Sequence, residues 1–262
     1  MPTSNASSAC RSGTSSGDAN VHAVSRAFEE LARESTPIGE ISLRRRLEPS
    51  LQVDVFEVKL GDDFLMSSLF TTGETELALL GLAATTEDRL DVVVGGLGLG
   101  YTARAALEDP RVQSLRVIDA LGEVIDWHRR GLVPLGDVLT ADPRCDLVHG
   151  DFFAMAAAGF DAPDGPMQVD VVLLDIDHSP HHLLHPGHAD FYEPAGLGRL
   201  VEQIRPGGVF ALWSNDPPDH AFVIDLRREF AVAEAHVVSF PNFYTGTDAQ
   251  STIYVATTGG HP

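Results

Sequence analysis

Leu90-Asp91-Val92-Val93-Val94-Gly95-Gly96-Leu97-Gly98-Leu99-Gly100 carries an apolar, β-branched run straight into a Gly-x-Gly-x-Gly turn. Tyr101 to Glu108 then reads as a helix, so the stretch is a buried parallel strand, a tight turn and a helix N-terminus. Glycine suits such a turn because the backbone needs unusual dihedrals and a ligand must approach it closely. A second strand, Leu115-Arg116-Val117-Ile118, ends on Asp119. A carboxylate at that strand end can take both hydroxyls of a ribose. Turn and acid together point to a nucleoside-bearing ligand. The alternative is that the glycines only allow tight strand-to-helix packing.

From Leu90 onward strands and helices alternate. Strands are expected at 90–94, 115–118, 146–148, 169–174 and 209–213, and the 191–204 helix is ended by Arg205-Pro206-Gly207-Gly208. Alternation of this kind predicts a doubly wound, mostly parallel α/β sheet with its ligand at the carboxyl ends of the strands. The last two strands, 235–240 and 251–257, are joined by Pro241-Asn242-Phe243-Tyr244-Thr245-Gly246. No helix fits that connection, so this pair is expected to be antiparallel.

The N-terminal part reads differently. Residues 1–20 are rich in Ser, Gly, Ala and Thr and predict a disordered tail. Apolar positions 21, 24, 27, 28 and 31 predict a helix over Val21–Glu34, stopped by Ser35-Thr36-Pro37. Residues 38–70 read as a small antiparallel β unit, and Thr75–Ala84 as a helix leading into the first parallel strand. The expected organisation is a tail over 1–20, a helix and β-hairpin cap over 21–75, and a nucleoside-binding catalytic domain over 76–262.

A chain of 262 residues holds one substantial domain and a small appendage. Thirty-eight acids against eighteen Lys and Arg give a net charge of -20, which argues against a nucleic-acid partner. No apolar run is long enough for a membrane span, and the first residues lack the apolar segment of a secretory signal. Cys10 and Cys145 support neither a disulfide framework nor a zinc pattern. The expected compartment is the cytoplasm.

Candidate chemistry gathers at four strand ends that should open on one crevice: the glycine turn, Asp119, Asp151 in His149-Gly150-Asp151, and Asp175 in Asp175-Ile176-Asp177-His178. Asp151 can accept from an adenine amino group. Asp175, near a second carboxylate at the rim of the core, can orient or deprotonate an amine. The bland alternative is that Asp175 or Asp177 caps the following helix.

The order Val-Val-Val-Gly-Gly-Leu-Gly-Leu-Gly, Val-Ile-Asp119-Ala-Leu-Gly-Glu-Val-Ile, Asp142-Pro143-Arg144, Gly150-Asp151, Asp175 and Arg205-Pro206-Gly207-Gly208-Val209-Phe210 resembles the spermidine synthase family. That family is the aminopropyltransferase branch of the class I methyltransferase fold, and the resemblance runs from about Gln52 to Thr257. It implies a Rossmann-like, seven-stranded sheet with an antiparallel last strand and a small N-terminal β cap. It implies Gly96, Gly98 and Gly100 as the floor of an adenosyl sulfonium site, Asp119 on the ribose, Asp151 on the adenine and Asp175 as base. Asp177, His178 and Phe243 are the candidate substrate contacts. The co-substrate would be S-adenosylmethionine or its decarboxylated form, the partner a small amine or other nucleophile, and no metal is expected. Pairing of two copies through the cap is implied by the same resemblance.

Several positions depart from the family pattern. Gly98 stands where the family carries an Asp, which would remove a charge conflict with the carboxylate of intact S-adenosylmethionine. Leu77 and Ala78 replace a Tyr and a Gln or His, Asp177 is displaced by one position, and Phe243 replaces a Tyr. Five of the eleven histidines fall within 178–188. Two prolines interrupt that segment, so it reads as a substrate lid before it reads as a metal site. Asn215-Asp216-Pro217-Pro218 reads as a loop at the far edge of the pocket. The leading reading is transfer of an alkyl group, aminopropyl by resemblance, to an amine. The alternatives are an S-adenosylmethionine-dependent methyltransferase acting on a small nucleophile and a non-catalytic nucleoside-binding protein.

Overall fold

The computed structural model describes residues 28–162 and 165–260. Four antiparallel strands come first: β1 (Phe28–Thr36), β2 (Gly39–Glu48), β3 (Val53–Leu60) and β4 (Asp63–Ser67), in the order β1-β2-β3-β4. Over Phe28–Glu34 this corrects the expected helix; residues 21–27 and the expected tail over 1–20 lie outside the described residues. Pairing across the hairpin decides the matter. Acidic β1 faces the Arg44-Arg45-Arg46 run of β2, with Glu29 opposite Arg45 and Glu30 opposite Arg44. Arg33 bridges Glu30 and Glu40, both at 2.6 Å. A short helical periodicity is a weak preference against a full ladder of cross-strand bonds and opposite charges.

Helix α1 (Thr72–Ala83) leads from this cap to β5 (Leu90–Gly95). The following elements are α2 (Tyr101–Leu107), β6 (Val112–Asp119), α3 (Gly122–Arg129), α4 (Gly136–Ala141), β7 (Cys145–His149) and α5 (Phe152–Ala158). A small ladder of β8 (Phe160–Ala162) and β9 (Gly165–Met167) precedes β10 (Val169–Leu174). The chain continues through α6 (Ala189–Tyr192), α7 (Pro194–Val201), β11 (Ile204–Ser214), α8 (His220–Glu229), β12 (Val232–Asn242) and β13 (Thr247–Thr257).

The large sheet has the order β12-β13-β11-β10-β5-β6-β7. Strands β11, β10, β5, β6 and β7 are mutually parallel, while β13 is antiparallel to both of its neighbours. Both faces are buried, which is why the central strands read as unbroken apolar runs. Val92, Val94, Val171 and Leu173 pack on the face covered by α1 to α4, and Val93, Val172 and Leu174 on the other. Each such buried side chain contributes roughly 1.5–3 kcal/mol. At the strand starts, opposite the ligand edge, Arg205 bridges Asp170 at 2.6 Å and Asp91 at 2.9 Å, and Asp170 also accepts from the Asp91 amide. Among the described residues no helix is long and apolar enough to cross a membrane.

Candidate active site

The strand-to-helix turns at the carboxyl ends of β5, β6, β7 and β10 open on one cavity of about 650 Å³, roofed by the cap sheet and the β12–β13 hairpin. Gly96 and Gly98 line it, with φ of 93° and 48°. A Cβ on Gly96 would strike the carbonyl oxygen of Asp175, so glycine here lets β5 and β10 present their ends side by side. Gly100 does not line the cavity. It is the left-handed N-cap of α2, packed so that a Cβ would lie 2.6 Å from Leu139 and 3.0 Å from His128. Beneath the loop, buried His128 is held neutral by desolvation, and its Nε2–H donates to the Gly98 carbonyl at 2.9 Å.

Asp119 and Asp151 line the cavity at the ends of β6 and β7, where the strand ends were expected to bring them together. Asp119 Oδ2 accepts from the Leu97 amide at 2.9 Å and Oδ1 from the Leu121 amide at 2.8 Å. Burial raises its pKa, with those amides opposing. Each oxygen keeps a lone pair for a ligand hydroxyl. Asp151 caps α5, its Oδ1 accepting from Phe153 at 2.9 Å and Ala154 at 3.2 Å. Capping was the alternative weighed for Asp175 or Asp177, and it is Asp151 that caps a helix; its second oxygen has no bond to the chain among the described residues.

Asp175 lines the cavity at the end of β10, and its Oδ2 accepts from Thr102 Oγ1 at 2.8 Å. Beside it stands Glu74, in the first turn of α1. Burial pushes both carboxyls above the usual range, and the neighbouring Asp175 charge pushes Glu74 further. The two therefore titrate as a pair, which holds a proton above the usual carboxylate range. Glu74 was not among the sequence-derived candidates, although Leu77 and Ala78 of the same helix were compared with the family pattern. Leu77 and Ala78, one turn further on, are fully buried in the core and do not reach the cavity.

Two expected substrate contacts point elsewhere. Asp177 is 1% exposed and anchors the histidine segment. It accepts from the Leu184 amide at 2.6 Å, from His188 Nδ1 at 2.9 Å and from Tyr192 Oη at 2.9 Å. Phe243 is 43% exposed and outside the lining; Phe240 and Asn242 occupy that edge, because β12 runs on to Asn242 before it turns. His178 does line the cavity, as do His185 and His188, and His188 stacks on Phe153 with centroids 3.9 Å apart. His181 and His182 face outward to Asp219 and Asp216. Asn215 lines the far edge.

Met66, Thr102 and Trp213 escaped sequence reasoning. A Cβ on Gly98 would come under 3.0 Å from Met66 Sδ, and the Leu99 amide points at that sulfur from 3.1 Å. The space left by the missing side chain is filled by an uncharged thioether. Gly73 plays the same part for Trp213, whose Nε1 would lie 2.5 Å from a Cβ there. Four carboxylates line the cavity (Glu74, Asp119, Asp151 and Asp175), and no Lys or Arg does among the described residues. No group of three or more His, Cys, Asp or Glu placed to hold a metal occurs among them either.

A doubly wound sheet with an antiparallel last strand, a glycine turn and an acid at the next strand end define the class I methyltransferase-type fold. With its N-terminal β cap, the chain has the fold seen in solved spermidine synthases. Spermidine synthase from Thermotoga maritima superposes with a TM-score of 0.66 at 16% identity, covering 89% of this chain and 73% of the other. A spermidine synthase in complex with the transition state analogue AdoDATO gives 0.68 at 18% identity, covering 89% and 75%. In sequence, the chain is 29% identical over 163 residues to polyamine aminopropyltransferase 2 of Pseudomonas aeruginosa, covering 58% of this chain and 43% of that protein. It is 23% identical over 192 residues to polyamine aminopropyltransferase of Pyrobaculum aerophilum, covering 70% and 62%. In both cases the match spans less than two thirds of the relative's length. No family model matches the chain.

Proposed function

We propose that this chain transfers the aminopropyl group of decarboxylated S-adenosylmethionine to an amine. One observation carries the reading: the cavity wall holds four carboxyl groups, of which the adjacent Glu74 and Asp175 keep protons above the usual carboxylate range, and no Lys or Arg among the described residues. Such a wall favours a sulfonium cation and an amine, and it opposes the carboxylate of an intact methionine moiety. The names of the sequence relatives point the same way.

The bound donor supplies a positive sulfur whose neighbouring carbon is open to displacement. Asp119 holds the ribose hydroxyls, Asp151 the adenine amino group, and the Phe153–His188 stack covers one side of the base. Gly96 keeps Asp175 against the glycine turn, so the proton acceptor and the reacting carbon share one small volume. Asp175 takes a proton from the entering ammonium. The freed nitrogen pair then forms the C–N bond, while the C–S electron pair returns to sulfur. A proton held within the adjacent Glu74–Asp175 pair leaves a single negative charge there to receive the amine's proton, with no second charge to trap the amine as an ammonium. Residues from Thr72 onward form the catalytic unit and 28–67 its cap. The free thiol of Cys145 supports a reducing, cytoplasmic setting.

Calorimetric titration with each donor separately tests this reading. Tighter binding of the decarboxylated form by about tenfold or more is expected from the repulsion of one carboxylate. Preference for the intact form would replace aminopropyl transfer by methyl transfer, and binding of neither would remove the transferase reading.

A further inference from the structure

The acceptor side of the cavity is apolar. Its walls come from the cap, from Phe70 just after it, from Trp213 on β11 and from the β12–β13 hairpin, with Phe64, Met66, Phe70, Trp213 and Phe240 as the large surfaces and Ala249 also in the lining. Phe70 packs tilted against Phe240 with centroids 6.1 Å apart, extending the wall outward. Among the described residues, none of those that cap and hairpin contribute to the lining is charged; Ser67, Asn242 and Ser251 are the polar ones. The four carboxylates lie elsewhere. Asp119 and Asp151 stand at the ends of β6 and β7, and Glu74 and Asp175 adjoin one another at the reacting centre. Two glycines shape this wall, since Gly73 admits the Trp213 indole and Gly98 admits the Met66 thioether.

We infer that the acceptor is a primary monoamine with an apolar alkyl or aryl body, and that an α,ω-diamine is a poor substrate. This rests on the transfer reading above. An amine seated at Asp175 extends its chain toward the cap. A diamine places its distal ammonium among aromatic and aliphatic side chains, where Ser and Asn oxygens can accept hydrogen bonds but no carboxylate offsets the lost hydration. A monoamine places methylenes or a ring there and gains from leaving water. The chemical step is unchanged: one proton passes from the ammonium to Asp175, the C–N bond forms, the C–S bond breaks, and the thioether nucleoside departs neutral.

The test uses the full chain with decarboxylated S-adenosylmethionine and follows release of 5′-methylthioadenosine. Hexylamine and 2-phenylethylamine are compared with 1,4-diaminobutane. The expected kcat/KM for the better monoamine exceeds that for the diamine by about tenfold or more. A diamine equal to or better than both monoamines overturns the inference and leaves the transfer reading standing. Donor binding with no release from any of the three also overturns it. Absence of both binding and release overturns the transfer reading itself. As a second arm, Ala249→Asp adds a carboxylate to the hairpin wall without removing a ring. It should shift the monoamine-to-diamine ratio toward the diamine by about tenfold. An unshifted ratio in a folded variant refutes the placement of the acceptor chain against the hairpin; the wild-type comparison stands whatever that variant does.

Discussion

Replacing Gly98 by Ala tests whether this glycine serves the cap or the backbone alone. The residue sits at φ 48°, in the left-handed region, where a Cβ costs about 1–2 kcal/mol. The new methyl would also come under 3.0 Å from Met66 Sδ. The thioether is the flexible end of its side chain, so it gives way, losing its contact with the Leu99 amide and part of its packing, for about 1 kcal/mol more. Gly98→Ala should therefore destabilise the protein by about 2–3 kcal/mol. In a Met66→Ala background only the backbone strain remains, so the same change should cost about 1–2 kcal/mol. Urea unfolding of the four proteins closes the double-mutant cycle, with an expected coupling of about 1 kcal/mol. A coupling indistinguishable from zero refutes the argument, since Met66 would then not be what Gly98 accommodates. Donor affinity on the same proteins should fall in both single variants, because the thioether forms part of the wall.

Asp175→Asn should lower kcat by orders of magnitude while donor affinity changes little, and equal loss of both would reassign Asp175 to structure. The same change should raise stability at pH 8, by about 1–2 kcal/mol in thermal unfolding. The sign follows from linkage. A carboxyl whose folded pKa is raised above its unfolded value binds its proton more tightly when folded, so it costs stability increasingly as pH rises from the unfolded toward the folded value. The acid limb of kcat/KM should accordingly lie above the ordinary carboxylate range, because the base is lost as pH falls through a raised pKa; a limb near pH 4 would count against it. Asp177→Asn should free the 178–192 segment, seen as faster amide exchange there and weaker donor binding, whereas unchanged exchange would show that the segment holds itself. Arg205→Ala leaves Asp170 buried without its partner and should cost about 2 kcal/mol with activity per folded molecule unchanged, which chemical denaturation and a turnover assay check together.

What could be read from the sequence was what is local. The apolar runs, the glycine turn and the acids at strand ends are each contained in a few consecutive residues, and the doubly wound sheet follows from their alternation. The N-terminal helix failed for the complementary reason. Phe28–Glu34 has one helical face, but its partners are Arg44 to Arg46 across a turn, and charge complementarity over that distance leaves no mark in a periodicity. Asp177 misled because adjacency to Asp175 says nothing of direction. The residue after next along an extended chain shares a face, yet beyond Leu174 the strand has ended and the backbone turns the side chain inward to His188 and Tyr192.

The glycines carry the same lesson further. In sequence, Gly73 and Gly98 are absences, and an absence suggests an emptier site or a lost charge. In the fold each is half of a pair whose other half, Trp213 or Met66, lies on a different element and occupies what the glycine gives up. The site is therefore not larger than one with side chains at these positions, but differently surfaced, with an indole and a thioether added to its wall. That shift acts on the acceptor side and leaves Asp119, Asp151 and Asp175 in place at the strand ends. On the transfer reading, a nucleoside half set by the parallel sheet can thus remain while the acceptor half is rebuilt largely by the cap and hairpin, because most of each is supplied by separate elements, which meet at the Glu74–Asp175 pair and where Met66 packs on the Gly98 turn.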